Sequence, residues 1–575
     1  MATMFVNIIH RVDPGETAFE ALRFQLDEAN RLGLKTSILF SYPALFEPEL
    51  VKYAKAQQTR HGHAVGLHFH NIICADLLAV AENRDPALYL HSRSSKEKIV
   101  RLMFERFRGL FGFIPTEVGG YIVDSVLMEI VKRLYPEVVA SVTNCFEEGV
   151  KMFEGNNHSW YLFSDGGPWG PYYGSKTNFL LPARNKEEFT GVVSLPHLSR
   201  DMILALTSRD DYFSSHPANV MRAKANNGEK SGYLDAFIDQ WQRQSALNGF
   251  SYYNLFVSSP WLAPGMLYVD NYKHARSIYT ASLERIRMHV GAGRAAVVTM
   301  TEFADWFKAN VPIGTPEVNH SKDLLCGTKR EMFWYVDSYF RIAIDLNIGG
   351  AIGDLRPYTG QLRLDLGPDG DALWNGSYPF LISREHRSHP AHEARLSYKG
   401  HLASISNRRT GGKVVKDAEG RHRLVVNPIE LKLGELTVTL ESSYTFHGEG
   451  RIAISRKLLA CSDPEAKITV IEYHKGCWGT IPYPEDMRGI ELTAESATES
   501  KSLVYAYRSR KEVVDNPVSL RAWLPQINTK VRLESANGAD QGYVEELHLF
   551  EPFYILALEK TVSQGGSLES WMTIQ

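Results

Sequence analysis

At 575 residues the chain is too long for one domain of ~100–200 residues, and its 44% hydrophobic, 22% charged and 11% aromatic residues exclude a disordered class. The 63 Lys and Arg nearly balance 66 Asp and Glu, for a formal charge of -3. No basic field is available for a phosphate backbone or an anionic bilayer, so neither nucleic acid nor a membrane is an expected partner.

The first residues carry no basic flank and no apolar run of signal-peptide length, and no stretch reaches the ~20 apolar residues that span a bilayer. The five cysteines, Cys74, Cys145, Cys326, Cys461 and Cys477, are odd in number and lack close pairing. They read as reduced thiols, with a cytoplasmic location expected.

From Met4 to about residue 310, short apolar strands alternate with helical patterns, which predicts an α/β sheet or barrel. Phe5–Ile9 reads as a strand. Phe19, Leu22, Leu26 and Ala29 recur at helical spacing over Ala18–Leu32, Gly33 stops that helix, and Thr36–Phe40 is the next strand. Further strands are expected at Ala64–His68, Val138–Thr143, Gly191–Leu195, Tyr252–Val257 and Ala295–Met300. A helix with Phe303, Trp306 and Phe307 on one face follows the last. The repeat gives a (β/α)7-type barrel over residues 1–312.

Val311-Pro-Ile-Gly-Thr-Pro-Glu317 resists both helix and sheet and reads as a linker. Beyond it, period-two alternation, as in Tyr339–Leu346, Leu431–Leu440 and Ile454–Leu459, predicts an all-β sandwich over residues 325–575. Asp354 and Arg356 follow a glycine-rich turn and are expected to pair. His386, His389 and His392 have no metal-site periodicity and are assigned to solvent.

The strongest chemical signal is His61-Gly-His63-Ala-Val-Gly-Leu-His68-Phe-His70. Residues i and i+2 of a strand share a face, so His68 and His70 can aim at one metal ion. Asp13 is the natural third ligand, because it ends the first strand, and barrel sites form at that end of several strands. Glu16 stands three residues beyond Asp13, near enough to face a metal-bound water, although a carboxylate there also suits the first turn of a helix. His197 follows a predicted strand and has a side chain whose ordinary pKa of ~6.5 suits general acid or base work.

Residues 158–175 are dense in aromatics and glycines. Trp160, Trp169 and Tyr172 can stack on sugar faces, and Asp165 can accept hydroxyl hydrogen bonds or act in catalysis, while an aromatic-rich loop of this kind equally packs as a local core. Trp261 ends another predicted strand and could add a platform.

Val12-Asp13-Pro-Gly, Leu32-Gly-Leu-Lys-Thr-Ser-Ile-Leu-Phe40, Pro48-Glu-Leu-Val-Lys52 and Gly62-His-Ala-Val-Gly-Leu-His68 together resemble the start of the NodB-homology polysaccharide deacetylases, the family 4 carbohydrate esterases. The resemblance covers residues 5–71 in motif and the rest of the first half in element order. It implies a distorted barrel of the polysaccharide deacetylase kind, with Asp13 and His68 as metal ligands. The family's second histidine, four residues after the first, is Ile72 here, so His70 would replace it. Val12 precedes Asp13 where the family has a second aspartate, and the fourth-strand motif is Val118-Gly-Gly-Tyr121, which brings Tyr121 among the substrate contacts.

The reading that follows is a metal-dependent hydrolase acting on a carbohydrate derivative, most directly deacetylation of an acetylated sugar or oligosaccharide. Zinc is the preferred divalent ion for two imidazoles and a carboxylate, with nickel, cobalt and manganese as alternatives. A glycoside hydrolase on the same scaffold is the alternative, since Val12-Asp13-Pro-Gly is also similar to the Asp-Pro-Gly of family 38 mannosidases. A noncatalytic carbohydrate-binding protein is the third reading. A homo-oligomer is compatible with all three.

Overall fold

The structure is a computed structural model that describes residues 2–69, 72–85, 88, 91–120, 123–144, 166–204, 214–222, 232–265, 272–324, 327–358, 378–383, 390–479, 486–548 and 552–575. The chain forms two compact units. Met1–Thr315 makes up most of the first, and Pro316–Asp323, Thr328–Leu362 and Tyr378–Gln575 make up the second.

The first unit is α/β, built on β1 (Thr3–Val12), β2 (Ser37–Ser41), β3 (Ala64–His68), β4 (Glu117–Gly119), β5 (Ala140–Asn144), β6 (Tyr172–Ser175), β7 (Phe189–Pro196), β8 (Phe250–Ser258) and β9 (Ala295–Val297). The strand order is β6-β7-β5-β4-β3-β2-β1-β8, with β9 beside β1. Every pairing is parallel except that of β6 with β7. Helices Glu16–Arg31, Pro48–His61 and Arg93–Phe111 pack on the outer face, against Val12, Ile38, Phe40 and Leu67. Helix Glu16–Arg31 buries Ala18, Ala21, Leu22, Gln25, Leu26 and Ala29 at helical spacing, and the chain turns at Gly33 with φ 64°.

The expected strand at Ala295–Met300 ends at Val297. The Thr299 hydroxyl accepts the Glu302 amide and the Glu302 carboxylate accepts the Thr299 amide, a capping box that starts helix Met300–Asn310. Met300, Phe303 and Phe307 of that helix share one apolar cluster with Phe5, Ile9, Leu39, Val142, Leu195, Tyr252 and Phe256. The helix therefore fills the curled sheet at the amino-terminal ends of its strands.

No strand ladder joins β7 to β8. Their ends are tied by Asn254 instead, whose Nδ2 donates to the carbonyls of Pro196 (2.7 Å) and His197 (3.0 Å). The Asn254 amide donates to Ser199 Oγ at 2.9 Å, and its carbonyl accepts from Ser215 Oγ at 2.5 Å. The Ser215 amide donates to the Ser199 carbonyl at 2.8 Å.

The second unit is all-β, two antiparallel sheets of eleven and nine described strands. The alternation at Leu431–Leu440 belongs to two strands, His422–Leu433 and Leu436–Gly448, which turn at Gly434 (φ 63°) with Leu433 opposite Leu436. Asp354 pairs with Arg356 as expected, and also with Arg341, all three side chains being buried.

His392, assigned to solvent, is fully buried. Its Nε2 donates to Glu472 Oε1 at 2.5 Å. Glu472 also accepts from Arg456 Nε (2.9 Å) and Nη2 (2.7 Å), with Arg456 reaching across from the other sheet. Burial alone would push the Glu472 carboxyl up, but the Arg456 and His392 charges outweigh it and hold it at about 2. His386 and His389 lie outside the described residues.

Because the folded carboxyl sits below its ordinary 4.5, the stability it contributes is complete above that pH and is lost as pH falls towards 2. Glu472→Gln leaves Arg456 buried and unneutralised, with an expected cost of about 3–5 kcal/mol in chemical denaturation at neutral pH. The acid limb of its stability curve between pH 4.5 and 2 flattens relative to wild type.

Candidate functional site

Strand register decides which side chains meet at the carboxyl end of the sheet. Ser41 pairs with His68, and His68 with Gly119. Val12 pairs with Phe40, so Asp13, one residue on, continues β1 beside Ser41. Period two then links face to face: Phe5, Ile9 and Leu39 belong to the inner apolar cluster, which puts Arg11, Asp13 and Ser41 on the inner face above them. His68 joins this row from β3.

His68 is fully buried and His197 is 5% exposed. Their imidazoles pack on one ring, Phe256 of β8, with centroids 5.8 Å and 4.3 Å from it respectively. Strand β3 and the loop after β7, far apart in sequence, thus converge over a residue that the sequence analysis did not single out. His197 is held there by the Asn254 amide on its carbonyl.

Gly119 makes room for His68. A Cβ at this position would lie 3.2 Å from His68 Cδ2, 2.9 Å from Leu39 Cδ1 and 3.6 Å from Val142 Cβ. The Val118-Gly-Gly-Tyr121 sequence is therefore the mark of an imidazole packed against the neighbouring strand.

Arg11 donates to Asp13 Oδ2 from Nη2 (2.6 Å) and Nε (3.1 Å). Ser41, between Asp13 and His68, is buried, and its hydroxyl hydrogen-bonds no described residue. Arg11 and Ser41 were legible only through their register with Asp13 and His68.

The other expected residues fall differently. Glu16 is exposed in the first turn of its helix, where its charge complements the helix dipole. Tyr172 is buried and donates its hydroxyl to the carbonyls of Phe179 (3.3 Å) and Leu180 (3.1 Å). Trp169 is 1% exposed. Trp261 is half-buried in the short helix after β8, edge-on to His216 at 5.5 Å. His70, Tyr121, Trp160 and Asp165 lie outside the described residues.

The described donors do not fit a metal ion by themselves. No group of three His, Cys, Asp or Glu among the described residues is placed to hold one. Asp13, expected as a ligand, gives one carboxylate oxygen to Arg11, whose positive charge opposes a second cation at that oxygen.

The remaining histidines of the motif region clasp the fold. His63 Nδ1 accepts the Thr36 amide at 3.1 Å, and its Nε2 donates to Asn30 Oδ1 at 2.9 Å, an arrangement only the neutral ring satisfies. Burial first, and then the His61 charge, lower His63 to about 4. Burial, then His63, lower His10 to about 3, and His10 Nε2 lies 2.9 Å from the Tyr279 hydroxyl.

A sequence-family profile described as a domain of unknown function, DUF3863, matches residues 113–318. No curated protein matches the chain. Among solved structures, it is similar to a candidate glycoside hydrolase/deacetylase from Parabacteroides distasonis, at 15% identity over 68% of this chain and 87% of that one, with a TM-score of 0.40. It is similar to a candidate polysaccharide deacetylase from Mycobacterium smegmatis at 12% identity, over 54% and 92% of the two chains, with a TM-score of 0.32. A 4-alpha-glucanotransferase from Thermococcus litoralis aligns over 100% and 99%, at 9% identity and a TM-score of 0.29.

Two outcomes follow. Gly119→Ala pushes against His68 and Leu39 and is expected to cost about 1–3 kcal/mol in thermal or chemical denaturation. Both lowered histidines add stability above their ordinary 6.5 and lose it as pH falls towards 4 for His63 and 3 for His10. Each contributes a slope of at most about 1.4 kcal/mol per pH unit. His63→Asn flattens the melting temperature profile between pH 6.5 and 4.

Proposed function

We propose that the first unit is a carbohydrate-active hydrolase of the polysaccharide deacetylase kind, which removes an acyl group from an acetylated saccharide. The observation that carries the reading is the convergence of His68 and His197 on Phe256, at the carboxyl end of the strands, with Asp13 and Arg11 on the same inner face. This is the end at which α/β barrels place their chemistry, the opposite end being filled by helix Met300–Asn310.

Two imidazoles suffice for the proton transfers of acyl hydrolysis. One, neutral, takes a proton from water as it adds to the acyl carbonyl. The other, protonated, gives a proton to the departing sugar oxygen or nitrogen. His197 is our choice for the base, because the Asn254 bond to its carbonyl fixes the segment that carries it. Arg11, anchored by Asp13, contributes a fixed positive charge to the face on which the carbonyl oxygen becomes negative. Phe256 supplies an apolar floor against which the imidazoles keep their orientation. If a divalent ion is bound, His70 would be the further donor beside His68. A glycosidase would need a carboxylate opposite Asp13.

The test is hydrolysis of acetylated amino sugars and chromogenic sugar esters, with metal content measured on the same preparations. His68→Ala and His197→Ala are each expected to lower kcat by ~10²–10⁴ while leaving the far-ultraviolet circular dichroism unchanged. Folded variants that turn over as fast as wild type would overturn the proposal.

A further inference from the structure

The loop after β7 also carries a charged group that hydrolysis does not use. Arg200 lies three residues beyond His197 and is 2% exposed. None of its Nε, Nη1 and Nη2 atoms hydrogen-bonds to a described residue. A guanidinium has five N–H donors and stays charged at any pH the fold tolerates, so burying one unpartnered is among the costliest states a side chain can adopt.

The backbone around Arg200 is tightly held. Its carbonyl accepts the Trp241 indole N–H at 3.2 Å, and its residue forms a bridge with Ser214. Ser199 before it accepts the Asn254 amide. The adjacent carboxylate, Asp201, is turned to other work, accepting the amides of Ile203 and Leu204 at 3.0 Å each and the Tyr233 hydroxyl at 3.1 Å. A fixed loop thus holds a cation beside an acid that is committed elsewhere. An arginine kept on these terms is explained by an anion that arrives from outside the chain, and its planar fork matches the two oxygens of a carboxylate or a phosphate.

We propose that Arg200 is an oxyanion-binding residue, receiving a carboxylate or phosphate group of the ligand that enters at His197. The site thereby selects acidic sugars, such as uronic acids or sugar phosphates, over neutral ones. The identification of the ligand as a sugar rests on the hydrolase reading, whereas anion binding at Arg200 does not.

The experiment is thermal melting of the full chain at constant ionic strength with glucuronate, glucose 6-phosphate or glucose, for wild type, Arg200→Met and Arg200→Lys. Binding is read without turnover, so its failure is separable from failure of the hydrolase reading. The wild type is expected to show a saturable rise in melting temperature with at least one acidic sugar and none with glucose. Response to glucuronate alone identifies a carboxylate, and response to glucose 6-phosphate alone a phosphate. Arg200→Met loses the response and, unliganded, melts at or above wild type, since an uncompensated charge has been removed. Arg200→Lys keeps the charge without the fork and binds at least tenfold more weakly. Two results would overturn the proposal: no acidic sugar shifts wild type more than glucose does, or unliganded Arg200→Met melts below wild type, the mark of a structural partner for the guanidinium.

Discussion

Where a strand ladder would close the sheet of the first unit, the side chain and backbone of Asn254 stand instead. The amide Nδ2 serves two carbonyls on the far edge, and the backbone N–H and C=O of the same residue reach Ser199 and Ser215. One residue thereby partners several buried polar groups at once, and leaving any one of them unsatisfied would cost about 1–3 kcal/mol. The candidate chemistry depends on this clasp, because His197 sits on the clasped segment and packs on the same Phe256 ring as His68.

Burial of guanidinium groups shows two different solutions in one chain. In the second unit Arg341 and Arg356 share Asp354, and Arg456 gives Nε and Nη2 to Glu472. In the first unit Arg11 is anchored on Asp13. These are paired charges, whose main effect is to fix geometry, since desolvation offsets much of their attraction. Arg200 departs from the pattern while its carboxylate neighbour is engaged with Tyr233 and two backbone amides.

Local pattern made the first βαβ unit legible, since Phe5–Ile9, the stripe Leu22, Leu26 and Ala29, and Thr36–Phe40 fall within β1, the first helix and the edge of β2. Strand β4 is three residues long and ends in Gly119, so its period carries no signal, and its glycine makes sense only beside His68. Leu431–Leu440 read as one strand although its apolar residues change from odd positions (Leu431, Leu433) to even ones (Leu436, Val438, Leu440) across the two-residue turn at Gly434. His392 misled because its partners are 80 or more residues away, at Glu472 and His474. Separation in sequence also hid Phe256 and Asn254, whose roles arise from the curl of the sheet. Aromatic density around Trp169 and Tyr172 fits a sugar surface and a local core equally, because an antiparallel edge strand such as β6 packs with the same residue types.

Hydrogen exchange of Asn254→Ala against wild type tests the closure most directly, since it needs no knowledge of the substrate. The account predicts that amides of residues 197–204 and 214–216 lose protection together, while those of β1, β2 and β3 keep theirs. Unchanged protection in both segments would contradict it, and with it the claim that Asn254 holds His197 on the Phe256 ring that His68 also contacts.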